Sequence, residues 1–326
     1  MKRESATLSD SMRNSCSIII CTRNRAQMLE KTLMAFDRVE VPVDMEVEMI
    51  LVDNGSTDRT GEVIGAATHP QIKIRGMTVT LPGKSRALNA AIARADGEVL
   101  LFTDDDVEPA ADWIEKMARP LLEMRSDAVT GSIVLGEELR RPWLTTYHGV
   151  FLAWTTPAQD SPDLVGASMG IRRSVFDAIG PFDENLGPGA SGFGEEALLC
   201  RQMREMGLRI HPVHDSLVVH HPEASRLLRK SWLATAENIG KSDAYIMHHW
   251  EHSEIKFPHV REALLRIKLI LRRWVQGHTR LDEEGCPVWE ISYLIQIAKL
   301  RHFARESSKP RNFPYRGLSG RVFEIV

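Results

Sequence analysis

The sequence predicts an α/β fold: a mainly parallel central sheet flanked by helices, with a C-terminal helical extension. Three observations carry this expectation. Short apolar runs alternate with helical patterns through the first half of the chain. The runs are continuously apolar, as expected for strands covered on both faces. Polar clusters follow the first, second and fourth runs, at the strand ends where open parallel sheets hold their ligands.

The elements follow in order. Ser17 to Cys21 (SIIIC) reads as a buried strand, and Ala26 to Phe36 as the helix behind it. Val47 to Val52 is the second strand and Thr57 to Ala67 its helix. Ile72 to Ile74 is a weak strand, followed by an Ala- and Leu-rich helix over Ser85 to Ala95. Val99 to Phe102 is the fourth strand, Trp113 to Met124 a helix, and Ala128 to Leu135 a fifth strand. Arg140 to Asp163 holds three prolines, two tryptophans and a tyrosine, and reads as a long loop over a groove. Leu164 to Ile171 reads as a strand leading into a short helix. Gly187 to Gly194 has four glycines in eight residues, a flexible loop before a helix from Glu195 to Met206. Two short strands are expected at Arg209 to Pro212 and Leu217 to Val219, then helices to Glu306. This gives a flexible N-terminus over 1–15, an α/β domain over 16–222 and a helical extension over 223–326.

Composition narrows the function. With 41 Lys and Arg against 44 Asp and Glu, the net charge of −3 offers no basic surplus for neutralising nucleic-acid phosphates. At 326 residues the chain buries a large core without disulfide or metal staples. Cys16, Cys21, Cys200 and Cys286 form no CxxC pair and read as small buried hydrophobes. Residues 1–15 lack the apolar stretch of a signal peptide, and no apolar run reaches the ~20 residues of a spanning helix. The expected location is cytoplasmic, at most peripheral at the inner face of the membrane.

Four clusters can carry chemistry. Asp104-Asp105-Asp106 places three mutually repelling carboxylates at a strand end, which is costly in burial without a cation. Oxygen ligands suit Mg²⁺ or Mn²⁺, ions that also bridge phosphate oxygens; a solvated acidic turn would use the same residues. Glu195-Glu196 either complements a helix N-terminus or supplies a base behind a glycine-rich loop. His220-His221 closes an apolar run, where an imidazole completes a metal site or stays a hydrogen-bonded, partly buried histidine. Arg23, Arg25, Lys84 and Arg86 are the cations for a diphosphate, or else solvated surface charge.

These clusters, in this order, resemble family 2 glycosyltransferases with a GT-A fold. The matching pieces run from Ser17 to His221: CTRNR, ILVDNGSTD, GKSRALNAAIARADGEVLLFTDDDVEP, GASMGIRRSVFDAIGPFDENL, GEEALLCRQMREMGLRI and VVHH. The resemblance implies that Asp53 hydrogen-bonds a nucleotide base and that Thr22, Arg23 and Arg25 lie in the loop holding the nucleoside. Lys84 to Asn89 would approach base and pyrophosphate, with Arg86 the foremost contact. Asp104 and Asp106 match the ends of the DxD motif, Asp105 between them, which binds ribose and the divalent metal; His220 matches a histidine that reaches the metal in some members. Glu195-Glu196 match a Glu-Asp pair whose second acid is the catalytic base. The implied reaction moves one sugar, with inversion, from a nucleotide-diphosphate sugar to a sugar or lipid-linked acceptor in polysaccharide or glycolipid synthesis, with Mn²⁺ or Mg²⁺ on the diphosphate.

Two positions depart from the family pattern. Glu196 stands where Asp is usual, a methylene longer, so Glu195 remains an alternative base. Gln202 stands where an arginine is common. The QxxRW motif of processive synthases is absent, because Arg273-Trp274 has no suitably placed Gln before it. A haloacid-dehalogenase-type phosphatase would explain an apolar strand before DxD, but not VDNGS or GEE. A catalytically inactive GT-A module that binds nucleotide-sugar or a partner protein is the main rival. In the extension, Val260, Leu264, Ile267, Leu271, Trp274 and Val275 recur at helical spacing with basic residues on other faces. Residues 259–300 therefore read either as a hairpin packed on the preceding domain or as a surface for an anionic membrane.

Overall fold

A computed structural model describes residues 14–155, 163–278 and 280–313. The chain begins with β1 (Asn14–Thr22), α1 (Ala26–Phe36), β2 (Met45–Asp53), α2 (Thr60–Ala66), β3 (Lys73–Thr78), α3 (Lys84–Ile92) and β4 (Val99–Thr103). It continues through β5 (Val107–Pro109), α4 (Trp113–Leu122), β6 (Ala128–Leu135), α5 (Thr146–Phe151), β7 (Met169–Arg172), α6 (Arg173–Ile179), α7 (Glu195–Glu205) and β8 (Ile210–His220). Three long helices close it: α8 (Arg229–Tyr245), α9 (Pro258–Gln276) and α10 (Val288–Glu306).

The eight strands form one sheet in the order β3-β2-β1-β4-β7-β6-β8-β5. β3, β2, β1 and β4 are mutually parallel, β8 is parallel to β6, and β7 runs antiparallel between β4 and β6. The expected fold class is thus observed. Register brings the carboxyl ends of β1, β2 and β4 to one edge, with Thr22 opposite Asp53 and Ile20 opposite Thr103. Strand alternation explains the continuous apolar runs. Ile18 and Ile20 join a core with Leu29, Trp113 and Met117 on one face, while Ile19 joins Ile50, Leu88 and Phe102 on the other. Each such fully buried side chain contributes about 1.5–3 kcal/mol.

Several local expectations need correction. β1 starts at Asn14, inside the stretch expected to be flexible; residues 1–13 lie outside the described residues. β5 is an unexpected strand, because Val-Glu-Pro is short and adjoins three acids. The two strands expected near residues 209–219 are one strand, β8, whose pairing with β6 shifts register between Gly131 and Ser132. The stretch expected as a loop over 140–163 contains α5, and its residues 156–162 lie outside the described residues.

The C-terminal helices pack unequally. Gly240 of α8 lies so close to α10 that an added Cβ would stand 2.5 Å from the Ala298 Cβ and 2.6 Å from the Ile295 carbonyl oxygen. Glu290 of α10 is fully buried and clamped by Arg229 (2.6 Å) and Arg273 (2.7 Å). α9 buries Leu269 alone. Among the described residues, no helix is long and apolar enough to cross a membrane.

Candidate active site

The acidic turn is built by its neighbours. The Thr32 hydroxyl of α1 donates to the Asp105 carbonyl (2.9 Å) and accepts from the Val107 amide (3.1 Å), pinning the chain between β4 and β5. β5 then pairs with the end of β8, Val107 opposite His220. Asp104, Asp106 and His220 consequently offer ligand atoms that all lie within 4.8 Å of one another. Asp105 turns the other way: it accepts from the Thr22 hydroxyl (2.6 Å) and from Arg25 (2.5 Å). Burial is the largest influence on Asp105 and pushes it up to about 6, against the pull of Arg25.

The geometry within the trio is informative. His220 Nδ1 donates to the Leu152 carbonyl (2.8 Å), so in the neutral ring Nε2 carries a lone pair. That atom faces Asp106 Oδ1 at 3.2 Å. Asp106 Oδ1 is buried and accepts no hydrogen bond. Two acceptors cannot face each other in burial without positive charge on or between them. A protonated imidazole supplies one answer, a bound divalent cation the other. The set of two carboxylates and one imidazole, oriented from behind by a carbonyl, fits a divalent ion. Asp106 is itself held well below the ordinary carboxylate range: burial would raise it, but His220 and then Arg25 outweigh that.

The end of β2 brings Asp53, with Asn54 after it, to the same sheet edge as Thr22. Asp53 is almost wholly buried and accepts from the Ser56 amide (2.8 Å). Asn54 donates to the carbonyls of Val79 (3.1 Å) and Leu81 (2.9 Å) and accepts from the Gly83 amide (2.9 Å), fixing the approach to α3. Lys84 then stands between the two acidic clusters, with Nζ 2.8 Å from Asp104 Oδ1 and 4.0 Å from Glu196 Oε1.

The glutamates differ in setting. The glycine loop before them is braced: Ser242 donates to Ser191 (2.8 Å), and Lys241 donates to the Ala190 carbonyl (3.0 Å). Gly187 adopts φ +87, and a Cβ there would stand 3.0 Å from both Glu195 Cδ and Ser85 Oγ. Only glycine meets both demands. Glu195 is buried with Oε2 unpartnered, and burial, then the Glu196 charge, push it up to about 8. Glu196 is a fifth exposed and is raised above the usual range, by burial before anything else.

A cleft of about 440 Å³ joins Thr22, Arg23, Arg25, Lys84, the three aspartates and His220. Five expected site residues do not line it: Asp53, Arg86, Asn89, Glu195 and Glu196. Arg86 pairs with Glu184 (2.8 Å) and bonds the Pro82 carbonyl; Asn89 exchanges both of its amide bonds with the Phe182 backbone (2.9 Å each). Their side chains brace the loop around residue 182 instead. Arg226 and Phe193 line the cleft and were not foreseen. Arg226 lies beyond residue 222, on a short 3₁₀ turn after β8, and no spacing in HHPEASRL marks it. Its guanidinium donates to the Phe151 carbonyl (2.8 Å), and burial lowers its pKa despite Asp106 and Asp104 nearby.

Fold and site together define a GT-A module. A mannosyltransferase from Pyrobaculum calidifontis, solved with GDP-Man and Mn²⁺, shares this fold with a TM-score of 0.53 at 21% identity, over 91% of this chain and 74% of that one. The family model described as Glycosyl transferase family 2 matches residues 17–180, and the chain belongs to that family. A probable glycosyltransferase, YdaM, of Bacillus subtilis (strain 168) is 28% identical over 52% of this chain and 43% of its own length. Glycosyltransferase AglE of Haloferax volcanii is 29% identical over 52% of this chain and 56% of its own. The chain thus spans about half the length of these relatives.

Proposed function

We propose that the chain transfers one sugar from a nucleoside-diphosphate sugar to an acceptor hydroxyl, with inversion at the anomeric carbon. The observation that carries this reading is the buried pair of acceptors, Asp106 Oδ1 and His220 Nε2, facing each other beside Asp104. Asp104, Asp106 and His220 would hold Mn²⁺ or Mg²⁺, which when bound offsets charge on the departing diphosphate. Arg23, Arg25, Lys84 and Arg226 supply further cations along the cleft. Asp53 and Thr22 frame the nucleoside end.

Glu196 takes the proton. The acceptor oxygen bonds to the anomeric carbon as the bond to the diphosphate oxygen breaks, and the hydroxyl proton passes to Glu196. Its exposure and its partner Lys84 support this choice over Glu195, whose buried carboxyl stays protonated at neutral pH. Glu195 acts as a positioning residue packed under the glycine loop. The module over 16–222 contributes most of the site, and residues 223–326 add Arg226 and brace the loop through α8. The acceptor belongs to polysaccharide or glycolipid synthesis, and relatives named as glycosyltransferases support the reaction class.

A donor panel tests the reading. UDP-, GDP- and dTDP-sugars are added with Mn²⁺ or Mg²⁺, and the unfolding temperature is followed. A donor at a hundredfold excess over its Kd stabilises by about 2.7 kcal/mol, or several degrees. Stabilisation that needs both metal and one sugar nucleotide, and that is lost in Asp106→Asn, is expected. No shift with any donor in the presence of metal would contradict the proposal.

A further inference from the structure

α9 presents a face that nothing among the described residues covers. Leu264, Ile267, Ile270, Leu271, Trp274 and Val275 are all between 54% and 85% exposed. At about 100° per residue they occupy one arc of about 140°, opposite the buried Leu269, and the sequence places no charge in that arc. An apolar face of this extent is far from the scattered exposed leucine of an ordinary surface. Trp274 lies in its last turn, and Phe257, 75% exposed in the left-handed region (φ 53), stands at its start. Aromatic groups at both ends suit a boundary between water and hydrocarbon.

The charge pattern selects the occupant. Residues 258–276 hold five Lys or Arg (Arg261, Arg266, Lys268, Arg272 and Arg273) against one acid, Glu262. The whole chain, by contrast, is at −3. Arg273 is committed to Glu290 and Arg266 to Glu262. Among the described residues no carboxylate pairs with Arg261 or Lys268, which flank the apolar arc on one side. Both also line a cleft of about 560 Å³ between α9 and α10, with Lys299 and a single acid, Glu254. A second copy meeting this face about a two-fold axis would bring the same cations together. An anionic lipid surface complements them.

We propose that α9 docks the chain on an anionic bilayer, lying in the interfacial plane. The apolar arc sinks to the acyl boundary, and Arg261 and Lys268 meet lipid phosphates at its edge, their stems along the apolar surface. The docking stands apart from the transferase reading. Only its consequence, that a membrane-borne acceptor would be met at close range, rests on that reading.

Co-flotation of the full chain with vesicles tests this. Phosphatidylcholine vesicles are compared with vesicles carrying 40% phosphatidylglycerol, at low and at 0.5 M salt. At least tenfold greater partition onto the anionic vesicles, reduced by salt, is expected. Ile267→Glu with Leu271→Glu, and separately Arg261→Glu with Lys268→Glu, should each reduce partition at least tenfold. None of the four side chains lines the cleft of about 440 Å³ that holds Asp104, Asp106 and His220, so metal- and donor-induced stabilisation should stay unchanged, which separates failed docking from failed folding. Equal partition onto neutral and anionic vesicles, or variants that bind as the parent does, overturns the proposal. So does a concentration-dependent dimer that Ile267→Glu dissociates while vesicles go unbound.

Discussion

Lys84 is the link between the two acidic clusters, and Lys84→Met removes its charge while keeping most of its stem. Two unit charges at the observed 4.0 Å interact by about 4 kcal/mol at an effective dielectric of 20, equivalent to about 3 pH units. Lys84 is a fifth exposed and shares its charge with Asp104 at 2.8 Å, so about half of that is expected at Glu196. The sign is definite. Glu196 is already raised by burial, and Lys84 opposes that rise. Without Lys84 the carboxyl ionises later, and a base must be ionised to work. The acid limb of kcat/KM for diphosphate release, followed from pH 5 to 9, should therefore move up by about 1–2 units. Lys84→Arg should largely restore it. A limb that stays in place in Lys84→Met, or moves down, refutes the assignment of Glu196 as the titrating base.

Other expectations follow from the same geometry. Glu196→Gln should retain metal-dependent donor stabilisation but lose about 10²–10⁴ in turnover; transfer near the parental rate would move the base elsewhere, first to Glu195. Glu195→Gln should raise the unfolding temperature relative to the parent, and more so at high pH. A carboxyl raised from 4.5 to about 8 on folding costs stability progressively as pH climbs between those values, so a difference that does not grow from pH 5 to 9 contradicts its buried, protonated state. Glu290→Ala should destabilise by about 3–5 kcal/mol in denaturant titration, because Arg229 is left buried without its partner. A loss below about 1 kcal/mol would show that Arg229 finds other solvation.

The parallel half of the sheet was readable because its strands are short, continuously apolar and separated by amphipathic helices. The polar groups at their ends were readable for the same reason: register along one sheet edge brings Thr22, Asp53 and Asp104 together whatever the loops do. What depends on long-range pairing was not readable. β5 has three residues, and only its partner β8 makes it a strand. Phe193 reaches the cleft on the glycine loop that α8 braces, and Arg226 on the turn after β8 with its guanidinium held by the Phe151 carbonyl; no local pattern encodes either placement. Arg86 and Asn89 sit in a matching segment, yet Glu184 and the Phe182 backbone claim them. Helical spacing identified the apolar stripe of α9, but only the tertiary arrangement shows that α10, rather than α9, packs along α8 through Gly240.

The central claim is that Asp104, Asp106 and His220 serve a diphosphate that leaves while Glu196 accepts a proton. Its most direct test is release of nucleoside diphosphate from the donor selected by the thermal panel, in the presence of simple glycoside acceptors. Release that requires Mn²⁺ or Mg²⁺, that disappears in Glu196→Gln, and that leaves donor binding by that variant intact is the predicted result. Donor binding with no diphosphate released by the parent chain under any metal and acceptor would contradict it, and would mark the protein as a nucleotide-sugar-binding module without transfer.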